Sequence, residues 1–400
     1  MSYLATRLSL IQPSPTLAMT AKAAQMKSEG IDVIALSAGE PDFDTPEFIK
    51  EAAKTALDRG MTKYTPVDGL ADLKKAIQSK LQKDNGLEYG LDQIMASTGG
   101  KQVIFNGLMA TLNAGDEVII PAPYWVSYPD MVNLFGGIPK IIRCPESAGF
   151  KLTPDLLEKA ITLNTKWIIL NSPSNPTGEL YSAEDLKALS EVLVRHPQVM
   201  ILCDDIYEYL VYDNQKFVTL ATLCPELKDR CLIVNGVSKS YSMTGWRLGY
   251  GAGPKPLIKA MTMLQSQSTS NPSSITQAAA IAAIKGDRTF LADWCQSFAA
   301  RRDLTAKLIN DIPGLSCRIP NGAFYLYINC DGLIGKTMPN GQMIETDNQF
   351  AQYLLSEVYV AVVSGDAFGL SPYFRISYAT SEKILIEACK RIRTAVEKLT

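Results

Sequence analysis

The stretch NGVSKSYSMTGWRLGYG, residues 235–251, decides how the rest of the chain is read. Four apolar residues of strand type, Cys231, Leu232, Ile233 and Val234, run into it, and small hydroxyl and glycine residues surround its lysine, Lys239. That order predicts a strand whose end delivers Lys239 into a cleft. An amine in dry or cationic surroundings loses its proton more readily and becomes a nucleophile toward carbonyl carbon, the chemistry of Schiff-base lysines. Most lysines lie on solvated surface, and this stretch alone leaves that reading open. Arg247 follows eight residues later.

Outward from this segment, strands and helices alternate. Strands are predicted at 94–97, 117–120, 139–143, 167–171, 199–203 and 231–235, and helices at 101–112, up to Leu134, 154–161 and 183–195. This alternation predicts an α/β fold: a large domain with a mostly parallel mixed sheet, covered by helices on both faces. Such sheets bind ligands at the carboxyl ends of their strands. Upstream lie a helix at 17–29, a short strand at 31–36 and a polar turn at 37–42. A helix then opens at Thr45-Pro46-Glu47, with Thr45 as cap, and stops at Gly60; another spans 70–84. Downstream, helical stretches at 255–285 and 289–310 precede strand-like 315–319, 320–325 and 373–377, with helices at 348–356 and 381–399. These join the N-terminal segment in a smaller α/β domain. The expected division is 1–45 for the N-terminal contribution, 46–290 for the large domain and 291–400 for the small one.

At 400 residues the chain exceeds the usual single-core size, in keeping with two domains. A net charge of -2 gives no support to nucleic-acid or anionic-membrane binding. No run of about eighteen apolar residues predicts a membrane span. The start, MSYLATRLSLIQPSPT, lacks the pattern of a secretory signal, and the eight cysteines are scattered without CxxC spacing, so reduced thiols and a cytoplasmic location are expected. His196 is the only histidine, which sets aside Ser-His-Asp hydrolysis and histidine-cluster metal sites. It reads as a surface residue closing a helix.

Several other groups carry chemistry. Gly99-Gly100-Lys101, between a strand and a helix, offers free backbone amides where phosphate can bind, although glycine pairs are common in turns. Trp125, in a strand-end loop, could stack on a planar ring or belong to the core. Asn175, in NSPSNPTG, could present its amide to a ligand, although Asn-Pro is also ordinary turn chemistry. Asp204 lies at a strand end, where a buried carboxylate is costly unless it has a cationic partner. Tyr207 could reach the same ligand from the start of a following helix. Arg375 interrupts the apolar strand YFRIS, and its fork suits a carboxylate.

The segments SAGEPDFDTP, KYTPVDGL, TGGKQ, PAPYWVSYP, NSPSNPTG, DDIYE, SKSYSMTGWRLGY, NGAFY and FRISYA occur in this order across nearly the whole chain. Together they resemble the class I, fold-type-I pyridoxal-phosphate aminotransferases, closest to the bacterial and plastid-type aspartate aminotransferases. The resemblance implies that Lys239 joins pyridoxal 5'-phosphate as a Schiff base and then moves the proton between Cα and the cofactor. Asp204 would pair with the ring nitrogen, Tyr207 and Asn175 with the ring oxygen, and Trp125 would stack on the ring. The amides of Gly100 and Lys101, with Arg247, would hold the phosphate. Tyr64 would reach the neighbouring subunit's phosphate, making a homodimer with shared sites.

Arg375, helped by Asn175 and Gly39, would grip the α-carboxylate. The side-chain carboxylate is less settled. The segment that carries a partner arginine in animal-type enzymes reads QSQSTSNP here, residues 265–272, with none. In the subgroup that the chain resembles, a lysine and hydroxyls serve instead, which here are Lys101, Ser14 and Thr16. The implied reaction is reversible amino transfer between L-aspartate and 2-oxoglutarate, giving oxaloacetate and L-glutamate. A prephenate or broad aromatic aminotransferase is the nearest alternative; an aminocyclopropane-carboxylate synthase, a β-lyase or a cofactor-binding regulator is further away.

Overall fold

The computed structural model describes residues 3–400. Its largest sheet has seven strands, in the order Ile94–Ser97, Gly249–Ala252, Cys231–Gly236, Met200–Asp204, Thr165–Asn171, Glu117–Ala122 and Ile138–Arg143. The last five run parallel to one another, and Gly249–Ala252 is antiparallel to both neighbours. Both faces are buried, as parallel strands joined by crossover helices require. Successive residues therefore enter opposite cores. Ile168, Leu170, Ile201, Cys203 and Ile233 pack with Leu73, Ile77 and Leu189, whereas Trp167, Ile169, Leu202 and Leu232 pack with Val103, Leu108 and Met261.

A smaller α/β unit is built from both termini. A four-stranded antiparallel sheet has the order Val363–Ser364, Tyr373–Ser377, Tyr325–Asn329, Ser316–Cys317. The N-terminal strand Ile34–Ala35 pairs in parallel with Val360–Ala361. The helices Phe290–Asn310, Asp347–Val358 and Glu382–Glu397 bring Phe298, Ile309, Phe350, Leu354 and Ile392 to this unit's core.

Local chemistry sets many helix ends. Ser182 caps Ala183–Arg195 by accepting from the Asp185 amide at 3.1 Å, and Asp185 Oδ2 accepts the Ser182 amide in return at 2.9 Å. Gly86, with φ 65°, closes Ala71–Asn85 in the left-handed conformation that glycine adopts without a Cβ penalty. His196 closes Ala183–Arg195 and faces Glu158 at 3.0 Å.

Several points differ from expectation. Thr45 does not cap the helix Glu47–Asp58; its hydroxyl donates to Ser242 O at 2.6 Å and so reaches the Lys239 loop. The stretch 255–285 is two helices, Lys255–Ser266 and Ser274–Lys285, because Pro272 follows Asn271 in a Ser-rich break. No helix follows Asp204: residues 206–209 form turns. The strand Gly249–Ala252 went unpredicted, since GYGA has the composition of a loop.

Candidate active site

The carboxyl ends of the parallel strands open into a cleft of about 370 Å³ between the two sheets. It is lined by Ser14, Thr16, Gly39, Gly100, Lys101, Trp125, Asn175, Asp204, Tyr207, Lys239, Arg247 and Arg375, twelve of the thirteen residues singled out from sequence. Tyr64 is the exception. It is 91% exposed and borders a separate surface hollow with Asn271 and Ser273.

Asp204 ends the strand Met200–Asp204 and is buried. Burial pushes its carboxyl up to about 6, and a hydrogen bond from Tyr128 Oη at 2.6 Å opposes the rise. Within the chain, a tyrosine hydroxyl thus holds one oxygen of the carboxylate. Tyr207 is carried by the turn that follows, its hydroxyl 2.8 Å from that of Tyr325.

Lys239 follows the strand Cys231–Gly236, as its sequence context requires. Its Nζ donates to Gly39 O and lies 5.9 Å from the Tyr207 ring centre. Desolvation in the cleft lowers its amine to about 8; Glu40 opposes this, while Arg375 and Arg247 add to it. A fraction of roughly a quarter of such amines is neutral at pH 7.5, against about one in a thousand for an ordinary lysine. The side chain is thus prepared as a nucleophile and a base.

At one end of the cleft, Gly99 and Gly100 open the helix Gly100–Met109, whose first amides face outward without intrahelical partners. Neither Gly99 nor Gly249 has room for a side chain. A Cβ on Gly99, where φ is 90°, would lie 2.5 Å from Arg247 Nη2, and one on Gly249 would lie 2.2 Å from the Gly100 nitrogen. The arginine and the helix start are thus drawn together into an anion cradle. Arg247 itself is oriented by donating to Thr244 O at 2.7 Å.

At the other end Arg375 is buried in the strand Tyr373–Ser377. Nη1 donates to Asn175 Oδ1 at 2.8 Å and Nη2 to Ser37 O at 2.6 Å, while Nε, buried, has no partner. Its guanidinium carbon lies 4.5 Å from the Tyr325 ring centre and 5.1 Å from that of Phe368. No carboxylate of the chain pairs with it among these contacts. A buried guanidinium held on neutral acceptors with a donor to spare is prepared for an external carboxylate.

Asn171 joins Asp204 to the Arg375 end: its Nδ2 donates to Asp204 O at 2.9 Å and its Oδ1 accepts the Asn175 amide at 2.8 Å. Trp125 stands edge-on to Tyr128, with Lys101 Nζ 4.8 Å from its ring centre. Burial lowers the Lys101 amine, and Arg247 lowers it further. Ser14 and Thr16 are 2.9 Å apart through their hydroxyls. Gln265 turns inward and is fully buried, accepting from Ser97 at 2.6 Å.

Sequence reasoning had not singled out Tyr128, Asn171, Ser37 or Tyr325. Tyr325 had a signal, the motif NGAFY, and Tyr128 lies three residues beyond Trp125 in PAPYWVSYP. The contacts of Ser37 with Arg375 and of Asn171 with Asp204 arise only from tertiary packing.

Residues 31–392 match the family model for aminotransferase class I and II. The chain belongs to the class I and II aminotransferases. This aminotransferase is 57% identical over 396 residues to the aspartate aminotransferase of Rhizobium meliloti (strain 1021), covering 99% of this chain and 97% of that one. It is 56% identical over 393 residues to the aspartate/prephenate aminotransferase of Cereibacter sphaeroides, covering 98% of each. Among solved structures, the Rhizobium meliloti aspartate aminotransferase superposes with a TM-score of 0.97 at 56% identity, covering 100% of both chains. The Thermus thermophilus aspartate aminotransferase with maleate superposes at 0.92 with 39% identity, covering 99% of this chain and 100% of that one. Among the described residues, no helix is long and apolar enough to cross a membrane, and no group of three or more His, Cys, Asp or Glu side chains could hold a metal ion.

Proposed function

We propose that this aminotransferase moves the amino group reversibly between L-aspartate and 2-oxoglutarate, giving oxaloacetate and L-glutamate, with pyridoxal 5'-phosphate as cofactor. The observation that carries the reading is the cleft itself: an amine at about 8, a buried carboxylate, an anion cradle and a buried arginine with an unpartnered donor all face it. These groups match the cofactor part by part. The backbone amides of Gly100 and Lys101, with Arg247, would take the phosphate, Asp204 the ring nitrogen, Tyr207 and Asn175 the ring oxygen, and Trp125 the ring face. When bound, the cofactor supplies an electron sink for charge developing at the substrate Cα.

The chain's own residues supply the rest. Lys239, partly neutral near physiological pH, would serve as the nucleophile toward the cofactor's carbonyl carbon and as the base at the substrate Cα. Asp204 keeps a proton on its ring partner only while ionised, and the Tyr128 bond favours that state. Arg375 fixes the α-carboxylate, with Asn175 and Gly39 at its side, which sets the Cα–H bond before Lys239. Lys101, Ser14 and Thr16 are assigned to the side-chain carboxylate. Maleate, a dicarboxylate, in the Thermus thermophilus relative supports a site for two carboxylates.

The same reading assigns a cytoplasmic homodimer, with domains at 1–45, 46–290 and 291–400. Tyr64, exposed and remote from its own cleft, would complete the phosphate site of the other subunit. A second reading, amino transfer to prephenate, is favoured by the relatives named aspartate/prephenate aminotransferase. Parallel assays of the purified enzyme with oxaloacetate, prephenate and phenylpyruvate as acceptors separate the two. Turnover with oxaloacetate is expected; activity with aromatic acceptors alone would overturn the aspartate assignment.

A further inference from the structure

Outside the cleft lies a buried ion pair that the proposed chemistry does not use. Lys80, on the helix Ala71–Asn85, contacts Glu208, with side-chain exposures of 3% and 2%. Glu208 Oε2 accepts from Asn85 Nδ2 at 3.0 Å, and Oε1 accepts from Asn235 Nδ2 at 2.9 Å. Lys80 also donates to Asn85 Oδ1 at 2.7 Å, and Asn235 Oδ1 accepts the Gly236 amide at 2.7 Å. None of the four residues lines the cleft.

Burying two charges is costly, and an apolar pair of similar volume is often as stable or more so. Stability alone therefore does not account for the pair. What the carboxylate does is join three segments remote in sequence. Glu208 directly follows Tyr207 in its turn, and Asn235 precedes Lys239 by four residues at the end of the neighbouring strand. The turn is tied to that strand at one further point, where the Asp205 amide donates to Val234 O at 2.9 Å.

We infer that Glu208 is a positioning residue: through Asn235 and Asn85 it holds the Tyr207 turn and the Lys239 segment in one register, and Lys80 neutralises it. This rests on the roles given above to Tyr207 and Lys239. The pair acts through them and touches no substrate. A shift of either segment would tilt the bound cofactor and move the amine from the substrate Cα, which lowers kcat and leaves the carboxylate grip of Arg375 intact.

The test compares two double variants of the holoenzyme, Lys80→Met with Glu208→Leu and Lys80→Met with Glu208→Gln. The apolar pair should lower kcat by about ten- to a hundredfold while KM for L-aspartate changes by less than about threefold. It should also alter the circular dichroism of the bound cofactor's visible band. The Gln pair, which keeps an acceptor for Asn235, should recover most of both. A folded apolar pair with wild-type kcat and dichroism, or two pairs equally impaired, would overturn the inference. If the apolar pair does not fold, Asn235→Ala replaces it and must show the same low kcat at unchanged KM; wild-type kcat there overturns it as well. Wild-type enzyme and Lys239→Ala, assayed alongside, test the underlying roles separately: an inactive wild type or an active Lys239→Ala would refute those roles rather than the register.

Discussion

The Tyr128 hydroxyl donates to Asp204 Oδ2 at 2.6 Å, and both side chains are buried at the carboxyl edge of the large sheet. Burial raises the Asp204 carboxyl to about 6, and this bond restrains the rise. Tyr128→Phe therefore raises it further. In the cofactor-free protein the Asp204 carboxyl should then lose its proton at a higher pH in the variant than in the wild type, as read by titration of that carboxyl. An unchanged titration would deny Tyr128 this role.

The same burial makes Asp204 a cost to the cofactor-free fold. Its folded value of about 6 lies above the ordinary 3.8, so the folded state binds the proton more tightly than the unfolded one. The resulting stability is fully present below the ordinary value and is lost as pH rises through the folded one. Asp204→Asn should then stabilise the cofactor-free protein at pH 7.5 by up to about 3 kcal/mol and have little effect near pH 4. Denaturant unfolding at the two pH values reads this difference. Equal stability of variant and wild type at pH 7.5 would contradict it.

Arg375 has two donors engaged and Nε free. Arg375→Lys keeps the charge but loses the planar fork, at a cost of about 2–4 kcal/mol in kcat/KM, on the order of a hundredfold. The loss should fall mainly on KM and be similar for L-aspartate and for an apolar amino acid, since both share the α-carboxylate. A loss confined to L-aspartate would place Arg375 at the side-chain end instead.

Lys101 gives the opposite signature. It shares the cleft with Ser14 and Thr16 and sits over Trp125. Lys101→Met should raise KM for L-aspartate by about tenfold or more and leave KM for L-phenylalanine nearly unchanged. Equal effects on both amino acids would count against its contact with the side-chain carboxylate.

Most of the sheet was legible because fully buried parallel strands leave unbroken apolar runs, as in WIILN and CLIVN. The strand GYGA was not, because what selects it is close approach: a Cβ on Gly251 would lie 2.7 Å from Val103 Cγ1, a contact that only packing creates. Twelve proposed site residues meet in one cleft because most stand near a strand end or a helix start, where local pattern and chemistry coincide; Arg375, in mid-strand, was legible instead as a charge inside an apolar run. Thr45 misled for the converse reason: its hydroxyl had a local role available as a cap and took a partner 197 residues away. Tyr128 and Glu208 escaped notice because their partners, Asp204 and Lys80, are remote in sequence, and a buried tyrosine or glutamate reads locally as core or surface.

Lys239 is the centre of the account, and covalent trapping tests it most directly. Holoenzyme reconstituted with pyridoxal 5'-phosphate is reduced with borohydride, digested and mapped by mass spectrometry, with and without prior exposure to L-aspartate. The predicted result is a pyridoxyl group on Lys239 alone, with labelling prevented by L-aspartate and restored by 2-oxoglutarate. A label on another lysine, or labelling of Lys239 that L-aspartate does not alter, would contradict it.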